Sequence, residues 1–401
     1  MNAPCKVAYL VPRFPALSET FIASEIGRLR NLGVEPVVMS FERPPAADID
    51  KLASSARDLL PDVAYIGLAE AAWAGLKRPL QTLRALHENR RIQDRLPRKP
   101  NSLLRLLRAA AVRSRMQRAR IRHLHAHWPY ASQVAHLVCA MGGASYSVSI
   151  HAHEVAHEGA HFPIIFEALS FAAFCNRGAM NYLLPQLAPQ VRDRAHLVYH
   201  GVDLNGFARL PLPSQQLPIQ VISAGRLTAT KGFDRLLRAC AAARARGIET
   251  RLTILGHGPM EAQLRELARE LRFADALRMP GWVTHAEVQQ HMQAAHVFAL
   301  LADTTYHDGL PNVLLEAMAS GRPVIVSPLP AAREAVTEGV EGFILNSAAD
   351  TEGFVDALCR CADEPRLLEN MGRAARRRVE AEHDADRQIT RVAELLRRYA
   401  S

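Results

Sequence analysis

The sequence predicts an α/β protein built from two doubly wound domains. The 401-residue chain is too long for one ordinary core, and in both halves short apolar runs alternate with amphipathic helix patterns. Residues 210–218 contain Pro211, Pro213 and Pro218, a composition typical of a linker. We therefore expect two facing Rossmann-like domains with a ligand cleft between them, beyond the carboxyl ends of their strands.

The N-terminal half begins with a strand–helix–strand unit. Residues 7–11 are a short apolar run, residues 18–32 have the periodicity of a helix that ends at Gly33, and residues 34–41 are a second strand. Such a unit requires a right-handed crossover and a parallel sheet. Further short strands are predicted at residues 121–125, 146–150, 180–183 and 196–199.

The C-terminal half repeats the alternation. Strands are predicted at residues 219–224, 251–255, 297–301 and 324–327, with helices over 233–246, 260–271, 286–294 and 313–320. We place the N-terminal domain at 1–205 with a basic helical insertion near 67–120, the linker at 206–218 and the C-terminal domain at 219–382. Residues 383–401 are expected to form a helix that packs back on the N-terminal domain.

Positive charge is concentrated in one segment. The chain has a net charge of +9, and residues 77–122 alone hold 15 Lys or Arg and two acids, Glu88 and Asp94. A basic patch of this kind indicates an anionic partner, so a membrane surface, a phosphorylated substrate and nucleic acid are all open. The segment has no Phe, Tyr or Trp, which counts against a nucleic acid held by base stacking.

Cysteine usage and hydropathy favour a cytoplasmic protein. The six cysteines are scattered and form no CxxC pair, so neither a zinc site nor a disulfide framework is predicted. The N-terminal residues have the pattern of a first strand rather than a signal peptide. No apolar stretch approaches the roughly 18 residues that a membrane span needs. We expect any contact with a membrane to be peripheral.

Two basic residues follow the first strand of the C-terminal half. Arg226 and Lys231 lie in the loop between Gly225 and a helix start. Two cations beside a helix N-terminus suit a diphosphate, through charge-assisted hydrogen bonds and the helix dipole. The alternative is a pair of solvated surface cations.

An acidic pair brackets a second loop and helix. Asp308 precedes the sequence GLPN, and Glu316 lies on a helix that is otherwise apolar. A carboxylate in such a helix is costly without a partner, and it could accept hydrogen bonds from ribose hydroxyls. The alternative is that Asp308 caps the helix and Glu316 pairs with a nearby Arg.

Histidines cluster in the N-terminal half. His123, His125 and His127 alternate along a strand, and His151 and His153 precede Glu154. The HxH spacing puts side chains on one face of a strand, so a metal-dependent hydrolase is one interpretation. The other is a set of histidines packed at the ends of strands.

Taken in order, these motifs resemble the retaining glycosyltransferases of family 4, which have the GT-B fold. The matching segments are GRLxxxKG at 225–232, LGHGPMEAQL at 255–264, GWV at 281–283, DGLPNVLLEAMASGRPVI at 308–325 and HGVDLNGF at 200–207. PRFPALSETFI at 12–22 resembles the members that build exopolysaccharide or lipid-linked oligosaccharides. The resemblance extends over most of the chain outside residues 45–120.

The resemblance assigns roles by position. It implies that Arg226 and Lys231 bind the donor diphosphate, that Glu316 holds the ribose and that His151 faces the transferred sugar. The expected catalytic residues are His151, Arg226, Lys231 and Asp308. The expected donor-binding residues are Gly225, Arg226, Lys231, Gly256, Val283, Asp308, Gly309, Leu310, Pro311, Asn312 and Glu316. The expected acceptor-side residues are Ser18, Glu19, His127 and Glu154.

Two departures from the family pattern stand out. The family has a glutamate where this chain has Asp308, which is one methylene shorter. The glycine-rich loop after the first strand is replaced by residues 12–15, which include two prolines.

The implied reaction is transfer of a sugar from a nucleotide-diphosphate sugar to a saccharide or polyprenyl-linked acceptor, with retention at the anomeric carbon. Fixed cations stabilise the leaving diphosphate, so neither a metal ion nor a cofactor is expected. Residues 77–122 are expected to contact an anionic membrane on the inner face of the plasma membrane, and no nucleic acid is expected. The alternatives are a non-catalytic GT-B scaffold and an Arg-rich nucleic-acid-binding protein.

Overall fold

A computed structural model describes residues 5–17, 19–77, 79–96, 101–151, 155, 159–209, 211–213, 217–303 and 309–400. The chain divides into two compact units. The first unit comprises Met1–Tyr199 and Asp386–Ser401, and the second comprises His200–Ala385.

The first unit is built on a parallel sheet. Its strands are β1 (Cys5–Arg13), β2 (Val34–Glu42), β3 (Ala64–Tyr65), β4 (His123–His127), β5 (Ser145–Ile150), β6 (Ala172–Phe174) and β7 (Ala195–Leu197). Their spatial order is β3-β2-β1-β4-β5-β6-β7, and every pairing is parallel. Because β1 lies between β2 and β4, the direction of winding reverses at β1 and β4.

Helices surround this sheet. They are α1 (Thr20–Asn31), α2 (Ser54–Asp58), α3 (Leu68–Lys77), α4 (Pro79–Arg95), α5 (Ser102–Arg118), α6 (Pro129–Ala140), α7 (Phe162–Ala168) and α8 (Arg177–Leu183). The buried side of α1 carries Ile22, Ala23, Ile26 and Leu29, an apolar stripe with helical spacing. The helix ends at Asn31 with Leu32 as its C-terminal cap, and Gly33 follows with φ +77°.

The predicted basic insertion is helical, and α5 is its central helix. α5 packs against α3, α4 and α6. Arg105 of α5 is fully buried, and its guanidinium donates to Asn89 Oδ1 at 2.8 Å and Gln133 Oε1 at 3.0 Å. Arg115 pairs with Glu70 on α3 at 2.6 Å. Much of the positive charge of α5 is therefore used inside the unit, which leaves less of it for nucleic acid or membrane.

The second unit has a parallel sheet with a second reversal of winding. Its strands are β8 (Ile219–Ala224), β9 (Thr250–Leu255), β10 (Leu277–Gly281), β11 (Val297–Leu300), β12 (Val324–Val326) and β13 (Gly342–Ile344), in spatial order β10-β9-β8-β11-β12-β13. The helices are α9 (Phe233–Ala245), α10 (Glu261–Glu270), α11 (His285–Gln293), α12 (Asn312–Ala319), α13 (Thr351–Asp363) and α14 (Pro365–Glu382). The winding reverses between β8 and β11.

The chain returns to the first unit through α15 (Ala385–Ala400). The apolar face of α15 belongs to the same core cluster as β1 and α1, and includes Ile389, Val392, Ala393 and Leu396. Arg28 of α1 forms an ion pair with Asp386.

The strand predicted at residues 180–183 is wrong. These residues belong to α8, which begins after Asn176, because the Asn176 side chain accepts a hydrogen bond from Ala179 N at 2.7 Å. A cap of this kind starts a helix even where the following apolar run is short enough for a strand. The strand predicted at 121–125 is displaced toward the C-terminus and is observed at His123–His127.

Candidate functional site

The second unit presents a loop built on glycines after β8. Gly225 has φ +152° and Gly256, after β9, has φ +131°. A Cβ atom on Gly256 would lie 2.0 Å from the Gly225 carbonyl oxygen. Only glycines allow the two backbones to approach so closely. The loops after β8 and β9 therefore meet beside the reversal of winding, where doubly wound sheets bind ligands.

Arg226 and Lys231 flank the turn that leads into α9. Arg226 is exposed and makes no ion pair with any described residue. Lys231 ends a short 3₁₀ turn, Ala229–Lys231, and is partly exposed. Gly232 follows in the left-handed conformation, with φ +68°, and α9 begins at Phe233. The N-terminus of α9 is positively polarised, so the cations and helix together suit an anionic group.

Glu316 lies on α12, among apolar residues. α12 buries Leu314, Leu315, Ala317, Met318 and Ala319, and Glu316 itself remains partly exposed. No described residue forms an ion pair or side-chain hydrogen bond with its carboxyl group. Burial raises the pKa of Glu316 to about 7, because desolvation disfavours the carboxylate. A ligand that brings hydroxyl donors would supply the missing partners.

The remaining predicted donor residues border the same part of the second unit. Val283 and Leu310 are partly buried and pack against one apolar cluster, which also contains Leu314. Gly309, Leu310 and Pro311 form the loop before α12, and Asn312 is the first residue of that helix. Asp308 lies outside the described residues, so its predicted role stays a prediction.

In the first unit, three predicted residues meet at the carboxyl ends of β4 and β5. The Trp128 ring stacks on the His151 ring with centroids 4.4 Å apart, and its Nε1 donates to Glu19 Oε2 at 3.1 Å. The His127 ring lies 5.6 Å from that of His151. Burial raises the pKa of Glu19, although Trp128 and nearby cations oppose this. The predicted Ser18 and Glu154 lie outside the described residues.

His127 belongs to a buried polar network that also contains Tyr9 and Glu25. The Tyr9 hydroxyl donates to Glu25 and lies 2.7 Å from His127 Nε2. Burial alone would raise the pKa of Glu25, but hydrogen bonds and charge from His127, with the Tyr9 hydroxyl, lower it to about 2. Since the Tyr9 hydroxyl donates its proton to the Glu25 carboxylate, the Tyr9 oxygen accepts a hydrogen bond from His127 Nε2–H. Sequence reasoning missed Tyr9 and Glu25, because no local motif links them to His127.

The other strand histidines bond to serines. His125 Nδ1 lies 2.7 Å from Ser147 Oγ, and its Nε2 lies 2.9 Å from Ser149 Oγ. Burial lowers the pKa of His123 to about 4, so that ring is neutral. Glu25, His125 and His127 lie close enough together to hold an ion. Their donor atoms are, however, largely engaged in hydrogen bonds, which favours the packed-histidine interpretation over a metal-dependent hydrolase.

Residues 209–378 match the family described as Glycosyl transferases group 1. This segment contains the loop after β8, both basic residues and Glu316. The match therefore covers the donor site that the sequence predicts and lies wholly within the second unit.

Three curated relatives are bacterial glycosyltransferases. The putative colanic acid biosynthesis glycosyltransferase WcaL is 34% identical over 148 residues in Salmonella typhimurium, which is 36% of either chain. In Escherichia coli it is 31% identical over 204 residues, or 49% of either chain. The amylovoran biosynthesis glycosyltransferase AmsK of Erwinia amylovora is 24% identical over 420 residues, covering 98% of this chain and 100% of AmsK. The aligned part thus spans less than two thirds of either WcaL protein.

Solved structures show the same fold along the whole chain. A glycosyltransferase from Rickettsia africae matches with a TM-score of 0.73 and 12% identity over 98% of both chains. HepE from Anabaena in complex with UDP matches with a TM-score of 0.70 and 14% identity, over 98% of this chain and 100% of HepE. The predicted fold is confirmed: the chain has the GT-B fold of two Rossmann-like domains.

Proposed function

We propose that the chain is a glycosyltransferase that moves a sugar from a nucleotide-diphosphate sugar to a saccharide acceptor in exopolysaccharide biosynthesis. The observation that carries the proposal is the placement of two cations and one carboxylate after neighbouring strands of the second unit: Arg226 and Lys231 follow β8, and Glu316 lies on the helix that follows β11. The family match over 209–378 and the names of the WcaL and AmsK relatives support the class of reaction.

The donor diphosphate lies at the N-terminus of α9 in this proposal. Arg226 and Lys231 neutralise its charge, and the lack of a side chain at Gly256 lets the loop after β9 approach the loop after β8 beside it. Glu316 accepts hydrogen bonds from the ribose hydroxyls. The UDP bound to HepE is a ligand of this chemical class, which supports a nucleoside diphosphate as the core of the donor.

The reaction follows from charge. Breaking the bond between the anomeric carbon and the diphosphate oxygen leaves negative charge on the diphosphate, and cations already in place stabilise it without reorganisation. We propose that these side chains remove the need for a metal ion or cofactor. The acceptor hydroxyl attacks on the face that the diphosphate leaves and gives its proton to the departing diphosphate oxygen, so the anomeric configuration is retained, as in the family 4 enzymes that the chain resembles. His151 faces the transferred sugar.

The acceptor side of the proposal lies in the first unit. Glu19, His127 and His151 gather where β4 and β5 end, and Trp128 stacks on His151. Aromatic and carboxylate groups suit a saccharide, through stacking and hydrogen bonds to hydroxyls. We further propose that the acceptor is linked to a polyprenyl lipid, so that the enzyme works at an anionic membrane surface on the cytoplasmic side.

The test is sugar transfer by the purified full-length chain, with nucleotide-diphosphate sugars and a lipid-linked saccharide. Lys231→Ala and Arg226→Ala should each lower kcat by about 10²-fold or more, the usual loss when one donor to a developing negative charge is removed. Arg251→Ala is the matched control, since Arg251 is an exposed cation on β9 of the same unit. Full activity in Lys231→Ala would overturn the assigned role of that residue.

A further inference from the structure

Large apolar side chains are exposed on two consecutive helices of the first unit. Among the described residues, seven of the eleven exposed large apolar side chains fall between residues 68 and 103. We define the outer apolar surface as the six of these that lie on α3 and α4: Leu68, Trp73, Leu76, Leu80, Leu83 and Leu86. Leu76 and Leu80, on either side of the junction between the helices, are each 76% exposed. Exposed apolar residues in this density mark an interaction site.

The opposite faces of α3 and α4 already have partners. α3 buries Ala71, Ala74 and Gly75, and a Cβ atom on Gly75 would lie 2.5 Å from Leu107 Cδ2 of α5. α4 buries Ala85 and Ile92 in the core of the unit. The outer apolar surface is therefore a second apolar face on helices whose first face is packed.

The charges beside this surface are mainly positive. Lys77, Arg84, Arg90 and Arg95 are exposed, whereas Asp94 is the one exposed acid on these two helices among the described residues. Glu70 and Glu88 are paired with arginines. The Lys77 ammonium lies 4.7 Å from the centre of the Trp73 ring, so an exposed aromatic side chain and an exposed cation are in cation–π contact.

This combination selects an anionic bilayer as the occupant. Leucines on a basic helix enter the acyl region while lysines and arginines contact anionic headgroups, and Trp is enriched at the interface. Two copies of the chain meeting through this surface would bring like charges together, which opposes self-association. None of the described helices is both long enough and apolar enough to span a bilayer.

We infer that the outer apolar surface of α3 and α4 inserts into the interfacial region of an anionic membrane and anchors the chain there. The inference rests on the proposed function, because a lipid-linked acceptor requires the enzyme at that membrane. The inference also revises the membrane contact that was expected for residues 77–122. Leucines and Trp73 on α3 and α4 make the contact, while arginines of α5 such as Arg105 stabilise the interior of the unit.

The test is binding of the full-length chain to vesicles of phosphatidylcholine with or without phosphatidylglycerol, measured by flotation. The triple variant Leu76→Gln/Leu80→Gln/Leu83→Gln should bind the anionic vesicles at least about tenfold more weakly than the wild type. The double variant Lys77→Gln/Arg84→Gln should also bind more weakly and should lose part of the salt dependence. Leu217→Gln/Val340→Gln is the matched control, since both residues are exposed apolar side chains of the second unit.

Three results would overturn the inference. They are a wild type that binds neither kind of vesicle, a triple variant that binds as well as the wild type, and a wild-type dimer that the triple variant converts to monomer in light scattering. Nucleotide binding by the same proteins separates this inference from the proposed function. A triple variant that loses vesicle binding but keeps nucleotide binding shows that the substitutions affect membrane docking only. A wild type that binds vesicles but no nucleotide contradicts the proposed transfer reaction and leaves the membrane inference standing.

Discussion

Glu316 shows how a single residue connects sequence, energetics and function. Its place in an apolar helix is visible in the sequence, and the structure gives its carboxyl group no partner among the described residues. A carboxyl group in apolar surroundings without a partner destabilises the protein that carries it, and such positions are characteristic of functional sites.

The pH dependence of stability tests this interpretation. The pKa of Glu316 rises from an ordinary value of 4.5 to about 7 in the folded chain, so the folded state binds more protons than the unfolded state between these values. Its contribution to stability is therefore present below about pH 4.5 and is lost as the pH rises to about 7. Glu316→Gln should be more stable than the wild type at pH 8, by up to about 3 kcal/mol, and close to it at pH 4.5.

The measurement is the free energy of unfolding in urea, compared between the wild type and Glu316→Gln at both pH values. Glu270→Gln is the control, since Glu270 is an exposed carboxylate on α10 of the same unit, and its effect should be close to zero. If Glu316→Gln changes the free energy of unfolding equally at both pH values, the pKa of Glu316 is not raised in the folded chain.

Site residues could be predicted from the sequence where they stand in a contiguous motif. Arg226, Lys231 and Glu316 stand in contiguous motifs whose strand and helix neighbours fix their positions. Tyr9 and Glu25 were not predictable, because their link to His127 crosses more than a hundred residues of sequence and depends on the order of strands in the sheet. His127 was predicted on the acceptor side, but nothing in the HxH pattern showed that its Nε2 faces a tyrosine and a carboxylate.

At the scale of elements, the turn between β8 and α9 depends on one glycine. Gly232 has φ +68°, and a Cβ atom there would lie 1.9 Å from the Leu301 carbonyl oxygen, just after β11. The turn that carries Lys231 is thus packed directly against the chain at the end of β11, the strand that pairs with β8.

Gly232→Ala should destabilise the second unit by more than about 2 kcal/mol, because a left-handed backbone costs about 1–2 kcal/mol and the backbone clash adds to it. It should also weaken nucleotide binding. Gly247→Ala is the matched control: Gly247 has φ +86°, but a Cβ atom added there would meet no atom within 4 Å, so only the conformational cost applies. Thermal unfolding compares the two, and equal losses of stability would show that contact with β11 is unimportant.

Elements were predictable where periodicity and capping agree. The helix at residues 286–294 is observed as α11, and its start is fixed by a capping box between Thr284 and Glu287. Residues 180–183 were mistaken for a strand because a run of only four residues shows no clear helical period, and the cap at Asn176 decides the structure. The inward arginines of α5 were not predictable, since Arg105 is buried only through partners on α4 and α6.

At the scale of the whole molecule, each unit repeats one design. Both sheets are parallel and reverse their winding at a central pair of strands, β1 and β4 in the first unit and β8 and β11 in the second. The candidate residues of each unit lie at the carboxyl ends of those strands or their neighbours. The strand alternation in the sequence predicts the fold class, while the spatial order of strands becomes visible only in the structure.

We propose that the donor site of the second unit binds its nucleotide without a metal ion, and calorimetric titration of UDP, GDP and ADP into the metal-free chain is the decisive experiment. We predict micromolar binding of one nucleotide, weakened about tenfold or more in Lys231→Ala and Glu316→Gln and unchanged in Glu270→Gln, because the first two remove charge-assisted hydrogen bonds to the ligand. Absence of binding for all three nucleotides by the folded wild type, or equal affinity in all variants, would contradict the claim.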